Sequence, residues 1–252
     1  MTWFDIGLLL GAALLGGAMN AVAGGGSFFS FPALLLVGIA PVSANATNAV
    51  ALWPASIASM GAYRRELGQQ QQPLRLMSGL SLVGGAIGAL LLLRTSDTAF
   101  SRLIPYLLLF ATVLFAGSNQ MTRWVRRGIS GHVQHRHGVF TIVVQFAIAI
   151  YGGFFGAGLG IMLLASLALL GLDNIHEMNA VKVLLSTLIA GVAVLLFAFA
   201  GAVNWPAALV MVAGSIVGGY GGAALARRLD PRRVRWFVIT VGVVLTIYYF
   251  VK

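Results

Sequence analysis

The stretch Asn20-Ala-Val-Ala-Gly24-Gly25-Gly26-Ser27-Phe-Phe-Ser-Phe-Pro32-Ala-Leu-Leu-Leu-Val-Gly38-Ile-Ala-Pro41-Val-Ser-Ala-Asn45-Ala-Thr47-Asn48 interrupts hydrophobic helix with glycines, prolines and amides. In hydrocarbon every backbone N–H and C=O must find a partner. A broken helix therefore survives at membrane depth only where protein buries it or where it lines a cavity, and such a break is a candidate binding site. A weaker copy lies 131 to 134 residues further on. Gly156-Ala-Gly158-Leu-Gly160 precedes a short apolar run to Gly171, and Asn179-Ala180-Val181 repeats Asn48-Ala49-Val50. The nine residues from Ser81 to Ala89 match those from Ser215 to Ala223 at six positions, including Gly84/Gly218 and Gly85/Gly219. One unit has been duplicated.

The chain has 252 residues, of which 59% are hydrophobic and only 9% charged, with no cysteine. Apolar segments of about 20 residues recur along it, the signature of an integral membrane protein built from helices. A net charge of +10 would suggest nucleic acid in a soluble protein. Here it sits almost wholly in three short loops, where membrane topology explains it, and nucleic acid is not an expected partner. Without cysteine there is neither a disulfide scaffold nor thiol chemistry. Ala21-Val22-Ala23 resembles a signal-peptidase site, yet no Lys or Arg precedes Arg64, so the segment reads as a retained first helix.

Each half contains five hydrophobic segments. The first half gives 3–22, a short one at 27–39, 44–63, 74–93 and 99–121; the second gives 139–156, a short one at 160–171, 176–200, 205–226 and 232–251. The expected organisation is a first transmembrane repeat over 1–124, a basic cytoplasmic linker over 125–138 and a second repeat over 139–252. Thirteen residues of helix reach only about 20 Å against a hydrocarbon core of about 30 Å, so each short run is either part of its predecessor or one limb of a hairpin. The arginines arbitrate. With five limbs per half, Arg64, Arg65, Arg75, Arg123, Arg126, Arg127, Arg136, Arg227, Arg228, Arg232, Arg233 and Arg235 share one side and Arg94, Arg102 and Lys252 the other, twelve to three; with four spans the division is eight to seven. The preference for basic residues on the cytoplasmic side selects five.

Five is odd, so the second half must enter the membrane from the opposite face. The expected fold class is all-α integral membrane, with two inverted-topology repeats of about five segments and short broken or re-entrant helices. Alternating-access transporters are commonly built this way. Between the halves, Met121 to Gly138 carries four arginines with His132, His135 and His137. Those histidines could form a metal site or pH sensor, but no carboxylate or cysteine accompanies them. The simpler reading is a solvated linker facing anionic headgroups, and no metal is expected.

Gly24-Gly25-Gly26-Ser27 before an apolar half-helix exposes consecutive N–H groups at a helix N-terminus, where the macrodipole favours an anion. The alternative for such glycines is close helix packing. Asn20, Asn45, Thr47 and Asn48 flank the triplet in apolar surroundings, and Gly156 and Gly158 mark the second break. Amides and hydroxyls there either bond between helices or line a cavity. Lys182 is the only basic residue more than one helical turn inside an apolar span, three residues after Asn179 and so on the same helical face. A buried ammonium must pair with a carboxylate, snorkel to an interface or meet an anionic substrate. Glu177 and Asp173 start the same segment and could simply complement its dipole. Glu177 and neighbouring His176 are the proton-coupling candidates. Ser27 with His176 would need a nucleophile motif to suggest a protease, and none is recognisable.

The glycine triplet, Pro32, the Gly38-Ile-Ala-Pro41 turn running into Ala44-Asn-Ala-Thr47-Asn48, the stretch His176-Glu-Met-Asn179-Ala-Val-Lys182 and Asn204-Trp205-Pro206 together resemble the TauE/SafE sulfite-exporter-like family, also called TSUP. The resemblance spans essentially the whole chain and implies a multi-pass carrier of sulfur-containing anions, such as sulfite or organosulfonates, in the bacterial inner membrane. The second half lacks equivalents of Pro32 and Thr47, a departure from exact pseudo-symmetry. The expectation is a non-enzymatic secondary transporter binding a small anion through Asn20, Gly24, Gly25, Gly26, Ser27, Asn45, Thr47, Asn48, Gly156, Gly158, Asn179 and Lys182. Its partners would be the anion and the lipid bilayer, with a homo-oligomer left open. An anion channel on the same fold, or a carrier of a non-sulfur organic anion, is the alternative. No cofactor is expected, and no Walker A motif is present to use ATP directly.

Overall fold

The computed structural model describes all residues except 24, 63–71, 129–138, 170–171, 173–174, 227–230 and 252. Within the described residues ten helices follow one another: α1 (Trp3–Ala23), α2 (Ser27–Leu36), α3 (Pro41–Ala62), α4 (Gln72–Arg94), α5 (Asp97–Gly128), α6 (Val139–Phe154), α7 (Leu159–Leu169), α8 (Ile175–Phe199), α9 (Trp205–Ala226) and α10 (Pro231–Val251). Each expected segment corresponds to one helix. The largest correction is at the end of the first half, where α5 continues to Gly128 instead of stopping at 121. The stretch expected to be a linker from 125 is therefore helical at first. Its histidines, His132, His135 and His137, lie outside the described residues, as do Gly24 and Asp173.

Windows long and apolar enough to cross a membrane occur in α1 (Trp3–Asn20), α4 (Leu74–Arg94), α5 (Asp97–Ser118) and α8 (Glu177–Phe199). Shorter apolar stretches fall in α2, α6, α7, α9 and α10. Such a set makes this a multi-pass membrane protein. Consistent with a lipid-facing exterior, large apolar side chains such as Leu90, Leu91, Phe110, Val113 and Leu209 are exposed. Helix α3 is 22 residues long, but Ser43, Asn45, Thr47, Asn48 and Ser56 dilute its apolar character. It is instead sandwiched inside the protein, against α8 and α9.

The two breaks are made by local backbone chemistry. Helix α2, ten residues long, would span about 15 Å. It ends in a turn where Gly38 adopts φ +82°, with its N–H bonded to the Leu35 carbonyl and the Ile39 N–H to the Leu34 carbonyl. This paired closure satisfies the last carbonyls of the helix and needs a left-handed residue, which glycine supplies without a Cβ clash. In the second half α6 stops at Phe154, where Gly156 (φ +77°) turns the chain and its N–H bonds back to the Tyr151 carbonyl at 3.2 Å. The eleven residues of α7 follow.

Glycine contact holds the long helices together. A methyl group at Gly88 of α4 would lie 2.0 Å from the Ile150 carbonyl oxygen of α6, and one at Gly153 of α6 would lie 2.1 Å from the Gly85 carbonyl oxygen. The same arrangement recurs between α9 and α1: a methyl at Gly218 would lie 2.0 Å from the Leu14 carbonyl oxygen, and one at Gly17 2.3 Å from that of Ser215. Small residues let backbones meet in this way, which is how helices associate without a hydrophobic drive between them. The duplicated Ser81–Ala89 and Ser215–Ala223 stretches are thus two copies of one packing surface.

The larger packing scheme repeats as well. Besides α1 on α9 and α4 on α6, helix α4 meets α8 as α9 meets α3, α1 meets α2 as α6 meets α7, and α2 meets α10 as α7 meets α5. Directions follow from specific contacts. Thr187 Oγ1 lies 3.4 Å from the Ser56 carbonyl, Gly191 packs on the Trp53 ring, and the Asn204 N–H, just beyond α8, donates to Thr47 Oγ1 at 2.9 Å. Rising numbers on α8 meet falling numbers on α3, so the two run antiparallel. Helices α5 and α10 do likewise: Tyr106 stacks edge-on against Phe250 at 5.2 Å, whereas Thr112 faces Gly242. At one end the Asp97 carboxylate accepts the Val42 N–H at 2.9 Å, tying the start of α5 to the first turn of α3.

Candidate functional site

Helix α3 presents Asn45, Asn48, Ala49, Leu52, Trp53 and Ser56 along one face, and α8 presents Lys182, Val183, Ser186, Ala190 and Ala193 opposite. With Asn20 from the end of α1, Ser27 from the start of α2, and Gly152, Gly153, Phe155, Gly156, Leu159 and Gly160 from the second break, they enclose a cavity of about 160 Å³. Both breaks and the antiparallel α3/α8 pair therefore contribute to one site. Its volume corresponds to about five water molecules, the scale of a small ion.

Several of these polar groups are held by neighbouring side chains and carbonyls. Asn48 Nδ2 donates to Ser27 Oγ at 3.2 Å. The Ser30 hydroxyl, fully buried, donates to Asn48 Oδ1. Asn45 Nδ2 donates to the Phe154 carbonyl at 2.9 Å, satisfying one of the carbonyls left open where α6 ends. Lys182 Nζ donates to Asn179 Oδ1 at 3.1 Å, and its methylene stem passes over Gly160, where an added methyl group would lie 3.6 Å from Cδ. The lysine is half-buried and points into the cavity wall. No carboxylate lies within salt-bridge distance of it among the described residues. A cation thus faces a partly open cavity whose lining combines amides and hydroxyls with apolar side chains such as Leu52 and Phe155.

Of the residues expected to bind, Asn20, Ser27, Asn45, Asn48, Gly156 and Lys182 are brought together around this cavity. The others are placed differently. Gly25 packs against Val238 and Phe115, and Gly26 against the Gly16 carbonyl and Asn20; both are buried packing positions off the cavity wall. Thr47 accepts the Asn204 N–H, while Asn204 Oδ1 accepts the Ala207 N–H at 3.1 Å as the N-cap of α9. Gly158 faces Ala111 of α5. Asn179 touches the site through Lys182 rather than as lining. Glu177, in the first turn of α8, is also away from the cavity wall, and the His176 side chain lies outside the described residues. Among the described residues no cluster of three His, Cys, Asp or Glu side chains could hold a metal ion.

Three polar lining residues escaped sequence reasoning: Trp53, Ser56 and Ser186. Trp53 Nε1 donates to the Thr187 carbonyl at 3.1 Å, clamping α3 to α8. The missed signal was helical spacing. Asn45, Asn48, Leu52 and Ser56 recur every three or four residues, and Ser186 follows Lys182 by four.

Comparison with known proteins points to membrane transporters. The chain is 27% identical over 249 residues to a probable membrane transporter protein of Haemophilus influenzae, covering 96% of this chain and 95% of the relative. It is 26% identical over 243 residues to the probable membrane transporter protein YfcA of Escherichia coli K12, covering 96% and 88%. It is 28% identical over 247 residues to the probable membrane transporter protein ORF9 of a Sinorhizobium species, covering 96% and 91%. No solved structure matches. The sequence model of the sulfite exporter TauE/SafE family matches residues 9–249, and the chain belongs to that family of membrane transporters.

Proposed function

We propose that this protein is an inverted-repeat secondary transporter of small sulfur-containing anions, such as sulfite or organosulfonates, working by alternating access in the bacterial inner membrane. The observation that carries the anion reading is Lys182, an ammonium in a cavity built by both helix breaks, bonded to an amide oxygen. An anion entering there exchanges water for charge-assisted hydrogen bonds. The sulfur preference rests on the family's description as sulfite exporters.

Antiparallel packing of α3 on α8 and of α5 on α10 supports the inverted repeat, because each pair joins equivalent helices of the two halves. On this reading the repeats comprise 1–124 and 139–252, and the two glycine-bearing tips approach one site from opposite faces. Rocking one half against the other would expose it alternately. Glu177 and His176 remain proton-coupling candidates, acting from the start of α8 on the same helix as Lys182.

The test is uptake of radiolabelled sulfite into proteoliposomes, with sulfate, sulfonates and carboxylates as competitors. Saturable uptake with trans-stimulation, inhibited by sulfur anions, is expected. Fast flux without trans-stimulation would indicate a channel, and competition by carboxylates alone would overturn the sulfur assignment.

A further inference from the structure

The cavity is partly exposed at one end and buried at the other. Thr187 on Ser56 and Gly191 on Trp53 set the Lys182 end of α8 beside the Ser56 end of α3, so Phe197 lies towards Asn45. Among the wall residues, Ser56, Lys182, Val183 and Ser186 are partly exposed. Asn45, Phe155, Ala193 and Phe197 are buried. Phenylalanines back this second end. Asn45 Nδ2 holds the Phe154 carbonyl, and the next residue, Phe155, packs edge-on against Phe31 at 5.5 Å and Phe100 at 6.3 Å. Phe31 and Phe100 meet at 6.4 Å, and Phe100 and Phe154 at 5.6 Å. Phe100 stands in the first turn of α5, which Asp97 ties to the start of α3.

Phe31 and Phe100 belong to the first half of the chain, Phe154 and Phe155 to the second. The layer therefore bridges the surfaces that must part when one half rocks against the other. The duplication supplies a control. In the register of 131 to 134 residues, Phe31 corresponds to positions 162–165, Phe100 to 231–234, and Phe154 and Phe155 to 20–24; none of these holds an aromatic residue. The aromatic layer is thus no general requirement of the repeated unit, and its symmetry-related positions fall towards the exposed end of the cavity. Resting on the inverted-repeat carrier reading above, we infer that Phe31, Phe100 and Phe155 form the outer gate of the carrier, shut in this structure while the cavity faces the cytoplasm. Arg64 and Arg65 follow α3 and set its Ser56 end on the cytoplasmic side. Interlocked rings bar water and ions by apolar packing alone, and their contacts must part before an anion beside Lys182 can reach the outside.

The absence of cysteine makes thiol accessibility a direct readout. In the full chain carrying Ser56→Cys, modification by an impermeant methanethiosulfonate is timed from outside intact cells and on inside-out vesicles. Reaction from the cytoplasmic face should be about tenfold faster or more than from outside. Adding Phe155→Ala should raise the outside rate by about tenfold or more, because only the shut state loses ring contacts; Phe155→Leu, which keeps apolar bulk, should raise it less. Phe31→Ala and Phe100→Ala should act in the same direction, so the test stands if one variant does not fold. Faster reaction from outside than from the cytoplasm would overturn the assignment of the gate to the outer side. Outside rates within about twofold of the Ser56→Cys parent in every folded alanine variant would leave the rings as core packing. Labelling needs no substrate, so unchanged rates strike the gate without touching the cargo, whereas absence of sulfite uptake strikes the cargo without touching the gate.

Discussion

Replacing Lys182 by Met keeps the length and apolar stem of the side chain and deletes only the charge. In wild type the ammonium spends one donor on Asn179 and offers the others to the cavity. A charge-assisted hydrogen bond contributes about 1.5–3 kcal/mol. Bare attraction between unit charges 4 Å apart is about 4 kcal/mol at an effective dielectric of 20, before the anion's own desolvation is subtracted. The net loss on Lys182→Met is therefore about 1.5–3 kcal/mol, or roughly ten- to hundredfold in anion affinity. Stability should move the other way. An ammonium with no carboxylate partner among the described residues is costly within a membrane protein, so the variant should unfold at the same temperature as wild type or higher. Lys182→Arg retains charge and should fall between the two. The assay is competition for labelled sulfite in proteoliposomes beside thermal unfolding in detergent. Anion affinity within twofold of wild type for Lys182→Met would refute the argument and leave the lysine as an interfacial side chain.

Other substitutions separate packing from binding. Gly88→Ala drives a methyl group against the Ile150 carbonyl oxygen and should cost about 1–3 kcal/mol; Gly79→Ala, where nothing lies within 4 Å, should be neutral or stabilising by up to about 1 kcal/mol in a thermal unfolding comparison. Gly38→Ala meets no neighbour either, so its expected loss of about 1–2 kcal/mol measures the left-handed backbone alone. Thr47→Ala should lower stability by about 1 kcal/mol through the unpaired Asn204 N–H, while sulfite competition stays within twofold. The chain has no cysteine, so single cysteines at Ser96 and Ala202 should react with an impermeant thiol reagent from outside intact cells and one at Ser130 only after lysis. Labelling of all three from outside would refute the inverted topology.

The membrane class, the ten helices of the described residues and the doubled unit were legible in the sequence because they rest on local properties. Apolar run length, the positions of Gly38 and Gly156, and the repeated Ser81 and Ser215 stretches are visible without knowing what touches what. Lys182 stood out because its charge is costly in an apolar span. The sequence could not tell cavity-lining polar groups from those used to join helices, because both look the same in an apolar helix. Only the tertiary structure sends Thr47 to Asn204 and Asn48 to Ser27, turns Gly25 and Gly26 into packing positions, and brings Trp53, Ser56 and Ser186 to the cavity. Whether a polar atom binds a neighbour or faces a ligand depends on residues more than 100 positions away, as Asn45 and Phe154 show. That relation is a consequence of how α3, α6 and α8 cross, and no local pattern encodes it.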